Sequence, residues 1–264
     1  NFDKNIIHLP FPYPWSLKKR NISGKELFKI HLKSLKKRID LRQISSFFLE
    51  SFQGWGAIFY PKDYVQELQK FVKKNKSLLI FDEIQSGFYR TGKLFAFEHY
   101  NVKPDLVICG KGISGSMPLS ALLGKKKYIN LDSAYTSTHG GNPLACAASL
   151  GNLKVFDKNN FHKSLSAKSK LMEKKINIWR KKFPERIKQI LGKGLIWGVF
   201  IYDKSGKKLD LNLTNRICER AMEKGVFSIC TGRGTLKLGP PLTIPKTALI
   251  EGLNVYEECL YEML

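Results

Sequence analysis

The segment Leu78–Thr91, LLIFDEIQSGFYRT, limits the fold more tightly than any other part of this 264-residue chain. A short apolar run ends in Asp82, and a polar turn containing Gly87 follows. That pattern is how a buried strand carries a carboxylate to the edge of a sheet. A second apolar run, Leu106–Cys109, stops at Gly110-Lys111-Gly112. Ligands of parallel sheets sit outside the carboxyl ends of the strands, which is where both residues fall.

The first half alternates the two periodicities. Ile6–Leu9, Ser46–Glu50, Leu78–Asp82, Leu106–Cys109 and Leu119–Leu123 have strand character, whereas Lys25–Ile39 and Pro61–Lys74 have the spacing of amphipathic helices. This rhythm predicts an α/β fold, a mostly parallel sheet flanked by helices. Asn142-Pro143 predicts a helix start, with Asn as the cap and Pro in the first turn. A long basic helix is expected from about Ser164 to Lys182. The texture then changes: strand Leu195–Tyr202, helix Leu211–Lys224, strands Val226–Cys230 and Thr235–Leu238, and a last helix from Pro245 to about Met263. We therefore expect a large domain over residues 1–157 and a smaller α+β domain over 158–264.

The formal charge of +23 invites a nucleic-acid reading, but only nine of the 45 basic residues are Arg. The lysines are spread over every segment, and no Arg-rich face with interleaved aromatics stands out. No apolar run approaches a membrane span, and no basic-then-apolar leader is recognisable. Neither nucleic acid nor membrane is an expected partner. The five cysteines are odd in number and form no CxxC pair, which fits free thiols, a reducing cytoplasm and no metal site.

An acid at one strand end and a glycine-flanked amine at the next suit pyridoxal 5'-phosphate. The acid keeps the pyridine nitrogen protonated, and the amine forms the Schiff base. Small neighbours let a bulky cofactor approach the backbone, and a lysine desolvated there would be held ready for imine formation. Each element has a plainer alternative: Asp at a strand end is often a turn former, and a lysine is usually a surface residue.

The strings LLIFDEIQSGFYRTGKLFAFEHYNVKPDLVICGKG and THGGNPLACAA, with looser matches in ESFQG and LGPPLTIP, resemble the class III, fold-type I pyridoxal-phosphate aminotransferases. They occur in consistent order along essentially the whole chain. The resemblance implies Asp82 and Lys111 as catalytic residues. It implies Gln85 beside the ring's phenolic oxygen, or else a loop amide. It implies Thr138 on the phosphate of a neighbouring subunit in a homodimer, or else a simple turn before Asn142. Glu50 resembles the glutamate opening the family's E-P-x-Q-G turn, although Ser51 replaces the proline; a satisfied strand-end carboxylate is the alternative. Arg90 is expected to make structural hydrogen bonds to loops.

Two departures concern the substrate. Members using glutamate as donor pair a Glu after the Q-G turn with an Arg before the P-P-L motif. Here these positions are Trp55 and Lys237, so that switch is not preserved. Trp55 either walls off an apolar or sugar-like amine or is a core aromatic. The implied reaction moves an amino group from a donor amine or amino acid to an oxo acid or aldehyde. An aminomutase on the same scaffold, or a catalytically incomplete fragment, are the alternatives, with a decarboxylase or racemase further off. The family's small-residue phosphate turn and ring-stacking aromatic are not found before Glu50, so the chain is expected to be an N-terminally truncated fragment.

Overall fold

The computed structural model describes residues 3, 5–130 and 137–264. The chain opens with helices α1 (Pro14–Arg20) and α2 (Gly24–Lys36). Ser23 and Glu26 close a reciprocal cap at the start of α2. Strand β1 (Ser46–Glu50) leads to a small hairpin, β2 (Phe52–Gln53) and β3 (Ile58–Phe59), and then to helix α3 (Lys62–Asn75). Strands β4 (Leu78–Asp82), β5 (Leu106–Cys109) and β6 (Ala121–Gly124) follow, with the short helix α4 (Lys126–Ile129). The sheet order is β1-β4-β5-β6. β4 pairs in parallel with β1 and β5, and β6 runs antiparallel to β5.

Helices α2 and α3 cover one face of this sheet. Leu27, Phe28, Tyr64, Val65, Leu68 and Val72 pack with Leu49, Leu79 and Phe81 in one core. Burial of such side chains stabilises the layer by about 1.5–3 kcal/mol each before entropy is counted. His31 Nδ1 shares a 2.9 Å hydrogen bond with Tyr64 Oη inside this layer, and burial pulls the imidazole pKa down.

Helix α5 (Pro143–Phe156) is capped as expected, with Asn142 Oδ1 accepting from the N–H groups of Leu144 and Ala145. Helix α6 (Asn159–Lys182) leads into β7 (Ile187–Lys193), β8 (Ile196–Ile201), α7 (Leu211–Glu223), β9 (Ile229–Thr231), β10 (Thr235–Leu238) and α8 (Lys246–Met263). The second sheet has order β7-β8-β10-β9 and is antiparallel throughout. Met172, Ile176 and Trp179 of α6, Ile217 of α7 and Leu253 and Leu260 of α8 bury themselves on its face. The β2-β3 hairpin packs closely on the second sheet: a Cβ added to Gly198 of β8 would lie 2.4 Å from the carbonyl oxygen of Gly56 in the hairpin turn.

Two sequence expectations need correction, and one strand was missed. Ile6–Leu9 is not a strand, because no neighbouring strand pairs with it among the described residues and Pro10, Pro12 and Pro14 remove donors just beyond it. Strand β7 was not foreseen: a register shift between Ile187 and Gln189 breaks the alternation that would have marked it. The strand expected at Val226–Cys230 is confined to Ile229–Thr231, since β10 offers partners only to that stretch.

Candidate functional site

Pairing of the strands brings the chemistry to one sheet edge. Glu50 and Asp82 are Cα partners at the ends of β1 and β4. Asp82 is in turn the partner of Ile108 on β5, and Lys111 lies three residues further on. β5 ends at Cys109, so Lys111 stands in the turn two residues beyond the strand end. Asp82 Oδ1 accepts from the N–H of Ile84 at 2.8 Å, and Oδ2 has no hydrogen-bond partner among the described residues.

Lys111 opens a 3₁₀ turn with φ of 43°, in the left-handed region that disfavours a side chain. It is exposed rather than desolvated, because only Ile113 of this turn packs inward. The flanking glycines serve the protein's own packing. A Cβ at Gly110 would come within 3.2 Å of Ile84 Cγ2, and one at Gly112 within 3.2 Å of Phe88 Cβ. These glycines let the turn sit against the loop that follows Asp82.

Between the two sheets lies a cleft of about 510 Å³. Gln85, Lys111, Asn152 and Lys237 contribute polar groups to it, and Phe88, Phe156, Phe161 and Leu242 form an apolar wall. Asp82 and Glu50 stand beside this lining at the strand ends. The Gln85 carboxamide and the Glu50 carboxylate close over Gly54, where a Cβ would lie 2.7 Å from Gln85 Oε1 and 3.4 Å from Glu50 Oε2. Glu50 Oε2 also accepts from the Gly54 N–H at 3.3 Å.

The electrostatics tie these groups together. Partial desolvation, and then the negative charge of Asp82, push the Glu50 pKa up, against the Gly54 hydrogen bond and the cations Lys237 and Lys111. Desolvation pulls the Lys237 pKa down, and the Lys111 charge adds to that effect. Beneath the strand ends, burial pushes the Cys109 thiol up to about 11.

Thr138 is exposed in the turn before Asn142 and does not line the cleft. Trp55 also lies outside the lining. It belongs to an aromatic cluster with Tyr13, Trp15 and Phe200, and the Arg233 guanidinium sits 4.9 Å from its ring centre. Its indole N–H is buried without a partner among the described residues.

Sequence reasoning missed Glu83. It is fully buried and accepts from Ser51 Oγ and Ser86 Oγ, each at 2.5 Å, and from the N–H groups of Ala96 and Phe97 at 3.0 and 2.8 Å. Burial pushes its pKa up, while these four donors favour the charged form. A second acid directly after the strand-end Asp82 was the available signal. Ser51, where a proline was expected, is one of its donors.

Among the described residues, no group of three or more His, Cys, Asp or Glu side chains is placed to hold a metal ion. No helix among them is long and apolar enough to cross a membrane.

The chain belongs to the class-III aminotransferase family, whose model matches residues 1–260. It is similar to an acetylornithine aminotransferase of Caldanaerobacter subterraneus subsp. tengcongensis, at 34% identity over 223 residues, 84% of this chain and 54% of that protein. An alanine/serine racemase of Pyrococcus horikoshii is 29% identical over 276 aligned positions, covering 98% of this chain and 57% of the racemase. Among solved structures, an (S)-enantioselective omega-transaminase from Thermomicrobium roseum superposes with a TM-score of 0.85 at 26% identity, covering 98% of this chain and 60% of that one. The chain thus spans a little over half the length of these curated relatives.

Proposed function

We propose that this chain carries the acid and amine of a pyridoxal-phosphate-dependent aminotransferase, acting on a small-molecule amine and an oxo acid or aldehyde. One observation supports the reading: β4 and β5 pair in parallel, so the Asp82 strand end and the Lys111 turn beyond Cys109 fall at the same sheet edge. The donor set fits pyridoxal 5'-phosphate, since Asp82 Oδ2 has no hydrogen-bond partner among the described residues and Lys111 lines the cleft.

Bound pyridoxal phosphate would supply a cationic ring able to accept electrons from the substrate's Cα–H bond. Asp82 would hold the proton on the ring nitrogen by charge proximity. Lys111 Nζ would anchor the cofactor and, once released, carry the proton taken from the substrate Cα. Gln85 and Glu50 would orient the ring's oxygen side. Lys237 offers a cation to the substrate, whereas the packing of Trp55 among Tyr13, Trp15 and Phe200 favours the core-aromatic reading for that residue. Residues 1–157 would form part of the cofactor-binding domain and 158–264 the smaller domain.

We assign Thr138 to the phosphate held by a second copy of the protein, in a homodimer. Leu144 and Leu150 of α5, 71% and 62% exposed next to its turn, support an apolar contact there. The free cysteines agree with a cytoplasmic setting. The likeness to a racemase favours a second reading, in which the proton returns to Cα and the amino group is kept. An aminomutase, the other alternative on this scaffold, would instead return the amino group to a different carbon of the same molecule.

The test is to incubate this chain, and a version extended to the relatives' full length, with pyridoxal phosphate, reduce with borohydride and map the modified peptide. Label on Lys111 is expected; label only on other lysines would remove the assignment. A panel of amines, scored for oxo product and for racemised amine, separates the two readings.

A further inference from the structure

The loop after β10, Gly239–Pro245, is poor in donors of its own, because Pro240, Pro241 and Pro245 carry no N–H. Its carbonyls are met by two cations from distant parts of the chain. Arg90 Nη1, from the loop after β4, donates to Pro240 O at 2.6 Å and to Leu195 O at 3.1 Å. Lys168 Nζ, from the middle of α6, donates to Leu242 O at 2.6 Å and Ile244 O at 3.1 Å.

Neither cation is a surface group that happens to touch a loop. Lys168 is only 5% exposed. Burial alone pulls the pKa of each cation down, and no carboxylate among the described residues offsets it. Taking a cation from water is costly unless its donors are satisfied, and the loop carbonyls are what satisfies them. The loop and the two cations therefore hold one another in place.

Between the two anchors lie Pro241, Leu242 and Thr243, which with Gly239 line the cleft shared by Lys111 and Lys237. Lys237 itself sits on β10, immediately before the loop. We propose that Arg90 and Lys168 are positioning residues: a two-cation clamp that sets this wall of the cleft and so the size of the amine admitted beside Lys111. The clamp ties the wall on one side to the segment bearing Asp82 and Gln85, and on the other to α6. This inference rests on the cleft being the substrate site, as proposed above.

The experiment uses the full-length protein with Lys168→Met, Lys168→Gln and Lys168→Arg. In the Met variant, exchange of the Ile244 amide, which donates to Pro241 O, should quicken about tenfold or more, while β8 keeps its protection. KM for a small amine should rise about tenfold with kcat within twofold, and discrimination against bulkier amines should fall. Lys168→Arg should restore both readouts. If the Met variant does not fold, the Gln variant, which keeps donors for one carbonyl, carries the same measurements. An Ile244 amide that exchanges as in the wild type would overturn the clamp. So would faster exchange with unchanged KM and amine selectivity. A wild type without label on Lys111 would sink the functional reading instead, and the exchange measurement would still decide the clamp.

Discussion

Glu50 and Asp82 stand side by side as Cα partners at the carboxyl ends of adjacent parallel strands, two acids on one sheet edge. The pKa of Glu50 lies above its usual 4.5, through desolvation first and the Asp82 charge second. A raised carboxyl favours folding in its protonated form. Its contribution is full below the unfolded pKa and is lost as pH rises through the folded value. Glu50→Gln should therefore be the more stable protein above that window, with the gap closing toward pH 4. Urea midpoints between pH 4 and pH 7.5 check this; parallel curves for the two proteins would contradict it.

Glu83 satisfies two hydroxyls and two backbone N–H groups at zero exposure. Glu83→Ala leaves the N–H groups of Ala96 and Phe97 unpaired beside a cavity. We expect a loss of about 2–6 kcal/mol, from two buried N–H groups left unpaired at about 1–3 kcal/mol each, read from chemical denaturation. A loss below about 1 kcal/mol would mean that water takes over all four bonds.

Gly112 lies where a Cβ would press on Phe88 Cβ at 3.2 Å. Gly112→Ala should cost about 1–3 kcal/mol and displace the Lys111 turn. Thermal unfolding, together with the yield of borohydride-fixed label on Lys111, measures both effects. Unchanged values would show that the loop after Asp82 yields easily.

Asp82→Asn keeps the shape of the side chain and its acceptor for the Ile84 N–H. Folding should be nearly unaffected, while turnover in the full-length protein should fall about 10²-fold or more, as when a single preorganised electrostatic partner is removed. Single-turnover kinetics on an amine donor test this. Wild-type turnover in the variant would rule out a charge-holding role for Asp82.

Local chemistry was sufficient for much of the architecture. The strands β1, β4, β5 and β10 fall where their apolar runs predicted, and α5 starts at the Asn142 cap, because hydrophobic periodicity and capping depend on neighbours a few residues away. The same short-range patterns placed Asp82 and Lys111 at strand ends, and the resemblance named their family. They misjudged Ile6–Leu9 and overlooked β7, since a strand exists only through a partner that local sequence does not specify.

What the amino-acid order determined by itself was the element pattern and the residue types at the strand ends. Tertiary structure decided the rest: that β6 runs antiparallel, that Glu83 collects four donors, that Gly110 and Gly112 serve Ile84 and Phe88, and that Arg90 reaches Pro240 across 150 residues of chain. The physical reason is one of range. Hydrophobic period and capping act within a turn or two of backbone, whereas burial and hydrogen-bond satisfaction depend on groups that meet only once the chain has packed.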